Sequence, residues 1–249
     1  MPVLQVVLVL FLVVHSTFCL TLTNMKGTGI LFDIDGTLAD SFLLGFESTQ
    51  KVLVNNGKEP ITHESYHQGT KYTTPRRLAW HVTGDPDHSI GESLGQQFDD
   101  LYVKLVNPST APLFPGIKEL LNKLEATKQP VKIAALSNAC GAYAKAVVEV
   151  NGLSDTFHLS YGADDVPAAK PSPEGLLEMC RLLDLDPARC VYVGDSPSDG
   201  QAAEAAGMRG VGVTWGSHPV YTVVPAFTQT VYSVEELETA LLEYIQQLS

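Results

Sequence analysis

Four short apolar runs, set along the chain between amphipathic helical stretches, constrain the fold more than any other feature. They occupy residues 28–32, 131–136, 190–193 and 210–214. Each is rich in aliphatic or β-branched residues and too short for a stable helix, so each predicts a buried strand. Strands alternating with helices predict an α/β fold: a Rossmann-like parallel sheet covered on both faces.

The punctuation between the runs agrees. Pro115-Gly116 precedes a stretch with Ile117, Leu120, Leu121 and Leu124 on one helical face. Ser172 is placed to cap a helix with Pro173 at its first position. The alanine-rich stretch from Gln201 stops at Gly207, and Ser233 with Glu236 predicts a capping box before the last helix. Between the first two strands, residues 42–112 carry helical spacing at 44–53, 75–82 and 89–106 and no good strand. This predicts an inserted helical cap over a core made of residues 25–41 and 113–249. Such a cap closes the carboxyl edge of the sheet, where parallel sheets bind ligands.

Polar groups gather at that edge. The first run ends in Asp33-Ile34-Asp35-Gly36-Thr37, two carboxylates in a turn that glycine sharpens, leaving room for a ligand near the backbone. The second ends in Ser137-Asn138, whose hydroxyl, amide and backbone N–H groups suit phosphate oxygens. Lys170 precedes a helix start, where an ammonium and a positive helix end both favour an anion. The third run leads into Gly194-Asp195-Ser196-Pro197-Ser198-Asp199, with two more carboxylates. An all-oxygen donor set of this kind suits Mg²⁺. Each piece alone has a bland reading as a turn, a cap or a surface lysine; their order along the chain carries the argument.

Taken together, Asp33-Ile34-Asp35-Gly36-Thr37-Leu38, Leu136-Ser137-Asn138, Lys170-Pro171 and Gly194-Asp195-Ser196 with Asp199 resemble the four signature motifs of the haloacid dehalogenase superfamily. The insertion resembles that superfamily's C1 cap. The stretches 205–208 and 211–216 resemble phosphoglycolate phosphatase-like hydrolases. The resemblance implies a phosphatase in which Asp33 attacks phosphorus and Asp35 protonates the leaving oxygen, then activates water. Ser137 and Lys170 stabilise the phosphoryl charge. Asp33, Asp195 and the backbone carbonyl of Asp35 bind Mg²⁺, with Asp199 supporting the site and Ser196 behind it. Gly36, Thr37 and Asn138 are expected to meet the substrate's phosphate. His67, Lys71, Arg76 and Arg77 are candidates for its other end, and His67 and Lys71 share a face if that stretch is helical. Relatives that cleave carbon–halogen bonds lack a second acid at the place of Asp35, so its presence favours phosphate esters. A β-phosphoglucomutase-like mutase is the alternative, disfavoured because Gly194 stands where such enzymes carry Glu. A non-catalytic binding module is a further one.

The implied partner is a small phosphorylated metabolite. A formal net charge of −12 argues against nucleic acid, whose backbone needs concentrated positive charge. Cys19, Cys140, Cys180 and Cys190 show no CxxC spacing, which favours buried thiols over a zinc site or a disulfide framework. Residues 1–24 are a hydrophobic leader with no charge before Lys26, and its apolar run, Val3 to Val14, is too short for a stable membrane span. Two readings stand. A signal peptide would take the chain into the secretory pathway, and a translation start at Met25 would leave it cytoplasmic.

Overall fold

A computed structural model describes residues 27–248. The leader, with Cys19, lies outside them. The first expected strand is β1 (Gly27–Phe32), and it stands at the centre of a six-stranded sheet. Helices α1 (Phe42–Asn55), α2 (His63–Gly69), α3 (Thr74–Thr83) and α4 (Ile90–Leu105) follow before the chain returns through α5 (Ile117–Glu125) to β2 (Val131–Leu136). Next come α6 (Gly141–Val150), β3 (Leu159–Tyr161), α7 (Glu174–Leu183), β4 (Leu185–Gly194), α8 (Pro197–Ala205) and β5 (Arg209–Val213). The chain closes with α9 (Val220–Val223), a short 3₁₀ turn, β6 (Gln229–Val231) and α10 (Val234–Gln247).

The strand order is β3-β2-β1-β4-β5-β6, and every pairing is parallel. Alternation along the strands explains the two layers. Ile30, Phe32, Ile133, Ala135, Val191 and Val193 face one core with α5, α6 and α10. Leu31, Ala134, Leu136, Cys190 and Tyr192 face the other with α7 and α8. The chain winds to one side through β2 and β3, then crosses back to β4. The switch between β1 and β4 therefore places the ends of these two strands side by side, where ligands enter open parallel sheets.

Two strands escaped the sequence reading. β3 and β6 each have three residues and keep most of their side chains half-buried. They are the sheet edges, where short strands limit unwanted pairing, and so they lack a long apolar run. Two helix starts and one cap also differ. α7 begins at Glu174, and Pro173 rather than Ser172 precedes it, with no side-chain cap. α8 begins at Pro197, because Ser196 accepts from Asp199 N while the Asp199 carboxylate accepts from Ser196 N. At α10 Ser233 does accept from Glu236 N, but Glu236 returns its carboxylate to Tyr232 N, one residue early for a capping box.

The two chain crossings between sheet and helical insertion bind each other. Asp40 N donates to Pro112 O at 2.9 Å and Phe114 N to Leu38 O at 3.0 Å. Within the insertion α4 packs on α1 and α3, and it also reaches α6 of the sheet layer. No helix among the described residues is long and apolar enough to cross a membrane. Cys180 and Cys190 are buried thiols with sulfurs 3.9 Å apart.

Candidate active site

β1 ends at Phe32, and the next residue still belongs to the sheet edge: Asp33 N donates to Val193 O at 2.8 Å. The turn then closes on Ile34 O, which accepts from Leu38 N and Ala39 N, while Gly36 N donates to Ala39 O. Gly36 has φ +79°, and a Cβ there would run into the Asp195 carboxylate. Glycine is thus required twice over, for the left-handed turn and for the approach of the β4 loop.

Four charged groups converge below this turn. Lys170 Nζ lies 2.6 Å from Asp33 Oδ1 and 2.7 Å from Asp199 Oδ1, and its third N–H is shared between Leu136 O at 3.0 Å and Tyr192 OH at 2.9 Å. Asp33, Asp195 and Asp199, all buried, offer ligand oxygens within 4.8 Å of one another. Burial first, and then the neighbouring Asp199, Asp195 and Asp35, push the Asp33 carboxyl well above the usual range, against the pull of Lys170. Burial alone would lower the Lys170 ammonium, but Asp199 and Asp33 outweigh it and hold it well up, so the lysine stays charged. One cation thus faces three crowded carboxylates, a donor set that suits a hard divalent cation such as Mg²⁺.

Hydrogen bonds show which oxygens are left open. Asp195 Oδ2 accepts from Ser217 N at 3.0 Å and lies 3.3 Å from His218 Nδ1. Asp199 Oδ2 is taken by the amide and hydroxyl of Ser196. Among the described residues nothing donates to Asp33 Oδ2 or Asp195 Oδ1. These are the atoms free to hold a metal.

Asp35 stands apart from that trio. Its carboxylate accepts from Ser41 Oγ, Tyr102 OH, Tyr143 OH and Ser137 Oγ. These bonds leave the Asp35 backbone carbonyl, the atom expected to meet a metal, untouched. Ser137 and Asn138 both line the cleft, with side chains already engaged inside the protein. The Ser137 hydroxyl is given to Asp35, and both ends of the Asn138 amide hold the backbone of Lys170, at 2.9 and 3.0 Å. Asn138 therefore acts by fixing Lys170. Thr37 is fully buried with an unpartnered hydroxyl and does not line the cleft; its carbonyl accepts from Trp215 Nε1.

A cleft of about 1150 Å³ opens above these groups, walled by the strand ends, by the loop 215–219 and by the helical insertion. His67, Lys71, Arg76 and Arg77 all line it. His67 spends Nε2 on Ser217 O at 2.7 Å, tying α2 to the loop after β5. Lys71 lies beyond the end of α2, so it shares no helical face with His67, and its ammonium sits over Tyr72. Arg76 pairs at the surface with Asp87. Arg77 is only 9 % exposed, and neither Nε nor Nη2 has a hydrogen-bond partner.

Where the insertion meets α6, Asp99 is pushed up to about 6, mainly by burial and against the field of Arg77. Nearby Cys140 is pushed up to about 12, by burial and then by Asp99, which makes it a poor nucleophile. Folded Asp99 thus holds its proton more tightly than the unfolded chain, whose reference value is 3.8. Between those values the native state binds more protons, so this contribution to stability is lost as pH rises through about 6. Asp99→Asn is accordingly expected to raise the melting temperature at about pH 8, with the gain shrinking as pH falls toward about 4. Thermal melts of the two proteins across that range check it.

Comparison with known proteins follows the same residues. The family model of haloacid dehalogenase-like hydrolases matches residues 30–213, which includes the four motif loops and the helical insertion. The chain belongs to that family. This hydrolase is 33 % identical over 193 residues to a phosphoglycolate phosphatase of Pectobacterium atrosepticum, covering 76 % of this chain and 80 % of the relative. With the phosphoglycolate phosphatase of Caulobacter vibrioides the identity is 30 % over 213 residues, 84 % of this chain and 86 % of the relative. A crystal structure of a haloacid dehalogenase-like hydrolase from Bacteroides fragilis superposes with TM-score 0.75 at 28 % identity, covering 85 % of this chain and all of that one. The protein is a phosphatase-like enzyme of this family.

Proposed function

We propose that this hydrolase cleaves a small phosphate monoester with Mg²⁺, through a phosphoryl group carried on Asp33. The observation that carries the reading is the open Asp33 Oδ2, held by the Lys170 ion pair beside Asp195 and within one turn of Asp35. Asp33 attacks phosphorus and the ester P–O bond breaks; Asp35 gives its proton to the departing alkoxide. Water then attacks the phosphorus of the aspartyl-phosphate and passes a proton to Asp35, and the Asp33–phosphorus bond breaks to release phosphate. Lys170 balances charge on the transferring group. Asp33, Asp195 and the Asp35 carbonyl would hold Mg²⁺, which screens the carboxylate from the incoming phosphate. The helical cap excludes bulk water during the transfer.

Gly194 favours hydrolase over mutase. A side chain there would run into Asp199, whose carboxylate folds over it to cap α8. The Glu expected of a mutase has no room in this arrangement.

The finer reading is a monoester with a second anionic group, phosphoglycolate-like rather than a neutral sugar phosphate. Arg77 supports it. Its guanidinium lies in the cap wall, 5.2 Å from the Tyr66 ring and 4.7 Å from the Phe98 ring, with two buried N–H groups unmet and, among the described residues, no carboxylate in salt-bridge range. A buried cation with unmet donors costs stability until an anion reaches it. A phosphate-release screen with Mg²⁺ tests both levels. Carboxylated monoesters are expected to lead the panel. Arg77→Gln is expected to raise their KM by about 10- to 100-fold, the worth of one charged hydrogen-bonded contact, while neutral sugar phosphates change little. If no phosphate ester releases phosphate with Mg²⁺, the function fails; equal losses for both substrate classes would refute the anion reading alone.

A further inference from the structure

The two oxygens of Asp35 are treated very differently. Oδ1 accepts from Ser41 Oγ at 2.5 Å, Tyr143 OH at 2.6 Å and Tyr102 OH at 3.1 Å. Among the described residues, Oδ2 accepts only from Ser137 Oγ, at 2.9 Å. A carboxylate oxygen has about two lone-pair directions. Oδ1 is therefore saturated, and Oδ2 keeps one direction open.

This asymmetry is built from distant parts of the chain. Tyr102 lies on α4 of the insertion and Tyr143 on α6 of the sheet layer; their rings stack at 4.0 Å and 14°. Both are buried, at 4 % and 0 % exposure, so each hydroxyl needs a partner, and both take the same oxygen. Ser41 stands at the N-cap position of α1 with φ −108° and ψ 4°, away from the extended backbone of a capping residue; it makes no capping bond, and its hydroxyl donates to Asp35. Burial and the Asp35 charge hold both phenols well above their usual range, so they remain donors.

We propose that Tyr102 and Tyr143 are positioning residues that pin Asp35 through Oδ1, so that Oδ2 alone carries the proton to the leaving oxygen and back from water. An unrestrained Asp carboxylate has a broad, roughly two-fold terminal torsion. Without the tyrosine hydroxyls the carboxylate is free to turn, and the reactive oxygen loses its fixed direction toward the leaving group. Ser137, which bonds Oδ2 from the side and accepts from Ala139 N, steadies the working oxygen without closing it. Because Tyr102 belongs to the insertion, the anchor is complete only with both lobes in contact.

The inference rests on Asp35 as the proton-transfer residue, and leaving-group dependence separates the two claims. The quantity to measure is kcat/KM, which ends at formation of the phosphoryl-enzyme and so includes departure of the leaving group. Ethyl phosphate needs a proton on its leaving oxygen; p-nitrophenyl phosphate does not. The double variant Tyr102→Phe with Tyr143→Phe keeps the ring stack and removes only the hydroxyls. It is expected to lose about 100-fold or more on ethyl phosphate, the scale of a misplaced catalytic group, and only a few-fold on the aryl ester. The ratio of the two losses is independent of how much protein is folded. Equal losses on both esters, or none on either, overturn the inference. Asp35→Asn serves as the control: a leaving-group-dependent loss there leaves the acid–base reading standing whatever the tyrosines do, and a uniform loss removes it.

Discussion

Asp33→Asn is expected to lower kcat/KM by at least about 10⁴-fold, the scale seen when a covalent nucleophile is removed. The variant keeps the shape of the side chain and an oxygen for Lys170, but an amide does not attack phosphorus. Its fold should survive. Asp33 is held above its ordinary range by burial and by three acidic neighbours, so the ionised form is strained in the metal-free protein. Replacing it with a neutral amide relieves the crowding while Lys170 retains Asp199. The metal-free variant should therefore melt no lower than the parent. Acid quenching of the parent during turnover with labelled substrate should trap phosphoryl-protein, and the variant should trap none. Activity within tenfold of the parent would rule out Asp33 as the nucleophile.

Lys170→Met should be the most damaging change to stability. Lys170 is buried against Asp33 and Asp199, with its remaining contacts to Leu136 O and Tyr192 OH. A methionine fills the space but leaves buried carboxylates without their cation. Breaking such a pair from one side typically costs about 3–5 kcal/mol. At roughly 2–4 °C per kcal/mol for a domain of this size, the melting temperature should fall by about 6–20 °C. Mg²⁺ should recover part of that loss, because a divalent cation among the three carboxylates replaces some of the missing charge and binds only the folded state. Calorimetry with Mg²⁺ and with EDTA checks both statements. A variant that melts like the parent in EDTA would mean that the ion pairs are not stabilising. Activity should fall too, since the same ammonium faces the transferring phosphoryl group.

The residues that declare chemistry could be read from the chain because each follows an apolar run. A carboxylate, a hydroxyl or a glycine at the end of a buried strand breaks the pattern visibly, as Asp33, Ser137 and Asp195 do. Tyr192, Tyr102 and Tyr143 break nothing. Each sits where its element needs an apolar residue, and the ring satisfies that need while the hydroxyl does separate work. From inside a strand, Tyr192 OH shares its one proton between Asp199 Oδ1 and Leu136 O, at 3.2 and 3.1 Å. Tyr102 and Tyr143 reach Asp35 across 67 and 108 residues of sequence. A periodicity argument sees the ring and misses the hydroxyl. His218 beside Asp195 was equally silent, because it lies in a loop with no helical or strand pattern. Thr37 departs from expectation in the opposite direction, while Asn138 lines the cleft with its amide already engaged. Polar side chains beside a motif suggest ligand contact, but one braces Lys170 and the other is buried under Trp215.

Alternating strands and helices, together with the acid turn after the first strand, determined from sequence alone that the sheet is parallel and which edge carries the chemistry. Those properties follow from local pattern, since burial on both faces and a turn at the strand end need no knowledge of distant partners. Tertiary structure decided what each oxygen at that edge is free to do. It left Asp33 Oδ2 and Asp195 Oδ1 open and closed Asp35 Oδ1 with three hydroxyls. Hydrogen-bond capacity is used up by whichever donors the fold brings near, and here those donors come from the turn before α1, from α4 and α6, and from the loop after β5.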